Sequence, residues 1–298
     1  MVFNSLEAQF HRCRGAVSTT VATPKHFKNA LQQRRGSIGD AYKPVNREDA
    51  HRVPRGAQTT RRRLSAVLNC APLNKARSDS PKMDFERARF NMIEQQIRPW
   101  NVLDPSVLAL LRKVPREQFV TTRQQALAFA DLSIPLDHDQ VMMQPKVEAR
   151  LIQALALTRQ DRVLEIGTGS GYVTALLAAS AASVVSVEIY SALSLQAGAR
   201  LQSAGFDTVD LKIGDGAAGW PGAALYDAII ITGSVPQLPT PFVEALAPGG
   251  RLVAIIGEAP AMEALLYHKT NADLLMTSLF DTVLPPLVNT PQKESFVF

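Results

Sequence analysis

The 298-residue sequence predicts an α/β fold: a mostly parallel sheet with helices on both faces, antiparallel strands at one edge, and an N-terminal helical subdomain. Three observations predict it. Short apolar runs alternate with amphipathic helical runs from residue 163 onward. A glycine-rich turn joins the first of these strands to the helix after it. The last two strand candidates have no long helix between them, which makes them an antiparallel pair at the sheet edge.

Composition divides the chain before any element is placed. Residues 1–82 hold 16 Lys and Arg against 5 Asp and Glu, with clusters at Arg34-Arg35 and Arg61-Arg62-Arg63, and show no sustained periodicity. A segment of that kind buries too little apolar surface to order itself. An organellar presequence, an RNA- or membrane-binding arm, and upstream sequence translated from a start codon placed too early all fit it. The abrupt change of character at Met83 favours the last. The expected division is a basic, disordered extension over 1–82 and one domain over 83–298. Within that domain, 83–145 forms a helical and loop-rich cap on the substrate side, and 146–298 forms the cofactor-binding sheet.

From residue 83 on, the balance is 16 basic to 22 acidic residues, so the pI near 9.3 belongs to the extension and no nucleic-acid partner is expected. Cys13 and Cys70 both lie in the extension, which leaves the domain neither a disulfide nor a cysteine metal site. The longest charge-free stretch, Ile166 to Val187, holds three glycines with several Ser and Thr. It reads as loop, helix and buried strand rather than a membrane span. No apolar signal region stands near Met1, and the expectation is a cytoplasmic monomer.

In order along the domain, Phe85, Ala88, Met92 and Ile93 recur at helical spacing until Pro99 ends the run. Asp104 caps a second helix, with Pro105 in its first position and Val107, Leu108, Leu110 and Leu111 on its apolar face. A loop-rich stretch follows from Ala128 to Pro145, and Pro145 opens a helix carrying Val147, Leu151 and Leu155. Strands read at Val163–Ile166, Ser183–Ile189, Val209–Ile213, Tyr226–Thr232 and Arg251–Ile256. Helices read at Tyr172–Ala179, at Ser191–Ala204 closed by Gly205, and near Pro241–Leu246. The edge pair is Ala264–His268 and Leu274–Val283.

The chemistry concentrates in Glu165-Ile166-Gly167-Thr168-Gly169-Ser170-Gly171-Tyr172, directly between a strand and a helix. Glycines there let the backbone turn sharply and approach a ligand at the carboxyl end of the strand, where open α/β sheets bind cofactors. A dinucleotide site has Gly-x-Gly-x-x-Gly; here the third glycine comes one residue sooner, which disfavours a nicotinamide oxidoreductase. Glu188 ends the next strand, 21 residues after Gly167, where an acidic side chain accepts hydrogen bonds from both ribose hydroxyls. Asp215-Gly216 closes the third strand, within reach of an adenine amino group. His138 between Asp137 and Asp139 has no second histidine nearby and reads as a solvated loop, so no metal is expected. Ser170 lacks the spacing of a nucleophile elbow.

Val163 to Tyr172 resembles the first motif of the protein-L-isoaspartate O-methyltransferase family, within the Rossmann-like class I methyltransferases. Val114-Pro115-Arg116-Glu117-Gln118-Phe119-Val120, Asp131 through Leu136, Gly214-Asp215-Gly216 with Gly219-Trp220-Pro221, Tyr226 to Thr232, and Gly249 to Val253 extend the likeness over about residues 83 to 290. The resemblance implies S-adenosyl-L-methionine as cofactor. It assigns its binding to Glu165, Gly167, Thr168, Gly169, Gly171 and Tyr172 around the first turn, then Glu188, Ile189, Asp215, Gly216 and Thr232. It implies isoaspartyl-containing proteins or peptides as substrate, with Val141, Met142, Met143, Gln144, Gly233 and Ser234 walling the acceptor. The family has Thr-x-Ser-x-Pro where Val141, Met143 and Pro145 stand, and Thr-Ala-Ala where Thr232-Gly233-Ser234 stands. Met143 therefore occupies the place of the serine, and no catalytic side chain is assigned with certainty. A methyltransferase with a diverged acceptor and a non-catalytic cofactor-binding module are the alternatives.

Overall fold

A computed structural model describes residues 83–290 apart from 221, 223 and 224. The expectations for residues 1–82 lie outside the described residues. Helix α1 (Phe85–Met92) is capped by Asp84, whose carboxylate accepts from the Arg87 amide at 3.1 Å. The run continues as a π turn over Ile93–Ile97 and a 3-10 turn over Arg98–Trp100, because Pro99 has no amide to extend an α-helical ladder. Helix α2 (Pro105–Lys113) begins as expected, with Asp104 accepting from the Ser106 amide at 2.8 Å. The stretch after it is more ordered than its composition suggests. It holds 3-10 helices at Arg116–Phe119 and Thr122–Leu127, then a small hairpin of β1 (Ile134–Pro135) and β2 (Val141–Met142).

After α3 (Pro145–Leu155) the chain alternates: β3 (Arg162–Ile166), α4 (Tyr172–Ala178), β4 (Ser183–Glu188), α5 (Ser191–Ser203), β5 (Asp210–Ile213), β6 (Tyr226–Val235), α6 (Thr240–Ala245) and β7 (Leu246–Glu258). These five strands pair in parallel. Strands β8 (Ala261–Lys269) and β9 (Leu274–Asp281) then fold back antiparallel, giving a seven-stranded sheet in the order β5-β4-β3-β6-β7-β8-β9. The mostly parallel sheet with an antiparallel edge pair is the architecture the sequence predicted.

Side chains alternate across the sheet with period two, and each face buries its own cluster. Val163, Ile230 and Val253 face a core shared with Ile93, Leu111 and Leu151, so the N-terminal cap packs on this side. Leu164, Ile166, Ile229, Ile231 and Leu252 face the other cluster with Phe242 of α6. The carboxyl ends of β3, β4 and β6 and the turn after β5 border a common cavity, where a ligand can reach backbone.

Candidate active site

The turn after β3 has left-handed backbone at Gly167, with φ of +97°. A β-carbon there would stand 2.3 Å from the Thr232 hydroxyl oxygen, so glycine is required on two independent counts. That hydroxyl lies within hydrogen-bond distance of the carbonyl oxygens of Ile166 (2.8 Å) and Gly167 (2.6 Å), tying the end of β6 to the turn. Glu188, almost wholly buried at the end of β4, accepts from the Gly169 amide at 2.8 Å and from the Tyr190 amide at 3.1 Å, one donor on each oxygen. Each oxygen keeps lone-pair capacity for a further donor, as recognition of a vicinal diol demands. Asp215 accepts from the Ala217 amide at 3.0 Å and from the Asn289 side chain at 2.9 Å.

These residues line a cavity of about 800 Å³, its open mouth included. It gathers Gly167, Thr168, Gly169, Glu188, Ile189, Asp215, Gly216 and Thr232 from the sequence-predicted cofactor set. From the acceptor set it gathers Val141, Met142, Met143 and Gly233. The Met143 side chain is buried, and the hydroxyl that the family resemblance would place here is absent.

Five of the residues named from the sequence stand behind the wall instead. Glu165 is fully buried, accepting from the Thr174 and Ser186 hydroxyls at 2.6 Å each, and burial pushes its carboxyl up to about 8 against those hydrogen bonds. Gly171 begins α4 and packs on α5, since a β-carbon there would lie 3.1 Å from that of Ala197. Tyr172 turns its ring into the core, 5.6 Å from Phe119 between centroids and 4.9 Å from the Arg116 guanidinium, and burial raises its phenol above the ordinary value. Gln144 caps α3 with its carbonyl, which accepts from the Val147 and Glu148 amides. Ser234 is buried, its amide donating to the Pro285 carbonyl and its hydroxyl to the Leu284 carbonyl.

Ser234 thereby seats a segment that sequence reasoning missed. Leu284, Pro285, Leu287 and Val288 close one side of the cavity, yet belong to no strand or helix and carry no periodic signal. Tyr190 was missed as well; it lines the cavity, and its ring stacks on His138 at 4.1 Å and 2°. No cluster of metal-ligating side chains is present among the described residues.

Arg116 joins the cap to this wall. It is fully buried, and its guanidinium donates to the Ala128 carbonyl at 2.8 Å, to the Met143 carbonyl at 2.6 Å and to the Glu148 carboxylate. Behind it, Arg89 pairs with Glu117 at 2.6 Å. Burial pushes the Glu148 carboxyl up to about 7 despite the guanidinium beside it.

The family model for protein-L-isoaspartate(D-aspartate) O-methyltransferase matches residues 87–292. The chain belongs to that family. A protein-L-isoaspartate O-methyltransferase of Pelobacter propionicus is 42% identical over 204 residues, covering 68% of this chain and 87% of the relative. One from Picosynechococcus is 41% identical over 199 residues, covering 67% and 89%. A solved protein-L-isoaspartate O-methyltransferase structure superposes with a TM-score of 0.58 at 25% identity, covering 67% of this chain and 65% of that one. A Plasmodium falciparum structure described as a β-aspartate methyltransferase, in complex with S-adenosyl-L-homocysteine, has the same TM-score at 20% identity, covering 69% and 99%, and supports the fold. As a protein-L-isoaspartate O-methyltransferase family member, the chain is an S-adenosylmethionine-dependent methyltransferase.

Proposed function

We propose that the cavity holds S-adenosylmethionine with Glu188 on the ribose and Asp215-Gly216 at the adenine. From there the methyl group passes to the free carboxylate of isoaspartyl residues in proteins. The observation that carries this reading is the juxtaposition, in one cavity, of the Gly167 turn, a buried Glu188 with hydrogen-bonding capacity left on both oxygens, and the Val141–Met143 wall. The hydrogen-bond acceptors fit the cofactor's chemistry: Glu188 and Asp215 border the cavity with carboxylate oxygens for hydroxyl and amino donors, beside a turn whose glycines carry no side chain. The absence of β-carbons at Gly167 and Gly233 keeps Thr232 and Leu287 close to the turn, and glycine at 216 lets Ile166 lie against it.

When bound, the cofactor supplies an electrophilic methyl group on a sulfonium. An α-carboxyl has a reference pKa of about 3.3 to 3.7, so the acceptor arrives ionised and the protein needs no general base. Its own contributions are alignment of the two reactants and exclusion of water. Val141, Met142 and Met143 provide an apolar wall for that purpose, and Arg116 fixes the wall through the Met143 carbonyl. Met143 has no hydroxyl, so acceptor positioning at this place falls to shape.

The acidic balance from residue 83 on supports a protein working without a nucleic-acid partner. Among the described residues no helix is long and apolar enough to cross a membrane. A cytoplasmic monomer, its 83–145 cap covering the substrate side and the rest forming the cofactor sheet, completes the reading. The test is transfer of labelled methyl from S-adenosylmethionine to an isoaspartyl peptide, with the normal aspartyl peptide as control. Label on the isoaspartyl peptide alone is expected; label on neither, from protein that binds cofactor, would overturn the acceptor assignment.

A further inference from the structure

Every charged side chain that borders the cavity among the described residues is acidic: Glu148, Glu188 and Asp215. Glu188 and Asp215 each already accept two hydrogen bonds, at the end of β4 and just beyond β5, where the nucleoside belongs. Glu148 is different in place and surroundings. It projects from the first turn of α3 and shares the wall with Met143, Ser170 and Val173, close to the start of α4. It is 1% exposed. Its one cationic neighbour among the described residues, Arg116, also serves two backbone carbonyls and leaves the carboxyl at about 7. A buried carboxylate so incompletely compensated, facing a cavity, is complementary to a cation brought in by the ligand. S-adenosylmethionine carries two cationic centres. Its sulfonium must face the acceptor, which leaves the α-ammonium of its amino-acid tail.

We propose that Glu148 receives the α-ammonium of the cofactor, and that Arg116 is the positioning residue that holds the carboxylate from behind. The proposal rests on the cofactor assignment and is independent of which carboxylate accepts the methyl group. The other groups facing Glu148 are Arg116 from the 3-10 helix and Tyr172 from α4, with Arg89 of α1 and Glu117 one layer further back.

The test compares S-adenosylhomocysteine with 5′-methylthioadenosine, which has the same nucleoside and sulfur but no amino-acid tail. Calorimetry on the full chain gives both affinities between about pH 5.5 and 7.5, where an α-amino group of reference pKa about 7.7 to 8.0 remains largely charged. Glu188 and Asp215 border the nucleoside that both ligands share, so their contributions cancel in the ratio. That ratio is expected to rise about tenfold in favour of S-adenosylhomocysteine as Glu148 ionises. Glu148→Gln should weaken S-adenosylhomocysteine by roughly tenfold to a hundredfold, leave 5′-methylthioadenosine within about twofold, and flatten the ratio with pH. A flat ratio in the wild type, or equal weakening of both ligands by Glu148→Gln, overturns the proposal. Should the variant fail to fold, the wild-type ratio decides alone. Wild-type protein that binds neither ligand would overturn the cofactor assignment itself, a distinct outcome.

Discussion

The place of Glu188 was legible because it follows from distance along the chain: a fixed interval after a glycine turn puts it at the end of the neighbouring strand, bordering the cavity. Glu165 and Tyr172 misled because a motif read as letters does not say where a side chain points. Period two in β3 sends Leu164 and Ile166 to one face, and Glu165 to the other, beneath Thr174 of α4. Replacing Glu188 with Ala should weaken S-adenosylmethionine and S-adenosylhomocysteine together, by about tenfold to a hundredfold, since both present the same ribose to a charged acceptor. Calorimetry on the variant checks this, and unchanged affinity would remove Glu188 from the site. Met143→Ser should raise turnover on an isoaspartyl peptide about tenfold, by adding one positioning hydrogen bond, with cofactor affinity nearly unchanged. Wild type and variant both inactive on that peptide, while still binding cofactor, would point to another acceptor.

At the scale of elements, strong periodicity and cap residues carried the prediction, as at α2 and α3, where a proline stands in the first helical position. What escaped were the elements with no period of their own. The 3-10 helices and the β1–β2 hairpin are too short to show one. The segment from Leu284 to Val288 is held by hydrogen bonds to Ser234 that only the folded sheet creates. Gly233 leaves no room for a side chain against that segment, since a β-carbon there would lie 2.6 Å from a Leu287 methyl and 3.1 Å from its amide nitrogen. Gly233→Ala should therefore displace the segment and lower S-adenosylhomocysteine affinity. Adding Leu287→Ala should recover part of the loss by removing the methyl but not the amide. Affinities of the two variants equal to that of the wild type would show that the segment yields without consequence.

Across the whole molecule, the buried carboxyls Glu148 and Glu165 have folded values of about 7 and about 8, above the ordinary 4.5. Their protonated forms are favoured in the folded state. The stability they contribute is thus fully present below about pH 4.5 and is lost as pH rises through 7 to 8. Asp161, held low by hydrogen bonds from Thr158 and Arg251 despite burial, acts in the opposite sense and only at lower pH. The melting temperature should accordingly fall between pH 5.5 and 8, by roughly 2 to 4 °C per kcal/mol lost, and Glu165→Gln should flatten that slope. A melting temperature that rises over the same interval would contradict the raised values of these two buried acids. The break in composition at Met83, with a family match beginning at residue 87, leads to a further expectation. A chain shortened to start at Met83 should bind S-adenosylhomocysteine as tightly as the full chain, and weaker binding would assign residues 1–82 a part in the site.

The order of construction along the chain has a consequence for damaged genes. All seven strands of the main sheet are complete by Asp281, whereas the last wall of the cavity begins at Leu284. A premature stop codon between those two points would yield a product that keeps every strand while lacking one side of the cavity. Such a product would also lose Leu284 and Leu287 from the two core clusters and uncover Ser234, so quality control would meet an exposed patch at the end of β6 rather than an unfolded sheet. The lesion would remove the cavity wall first, with loss of protein following only as far as that patch is recognised.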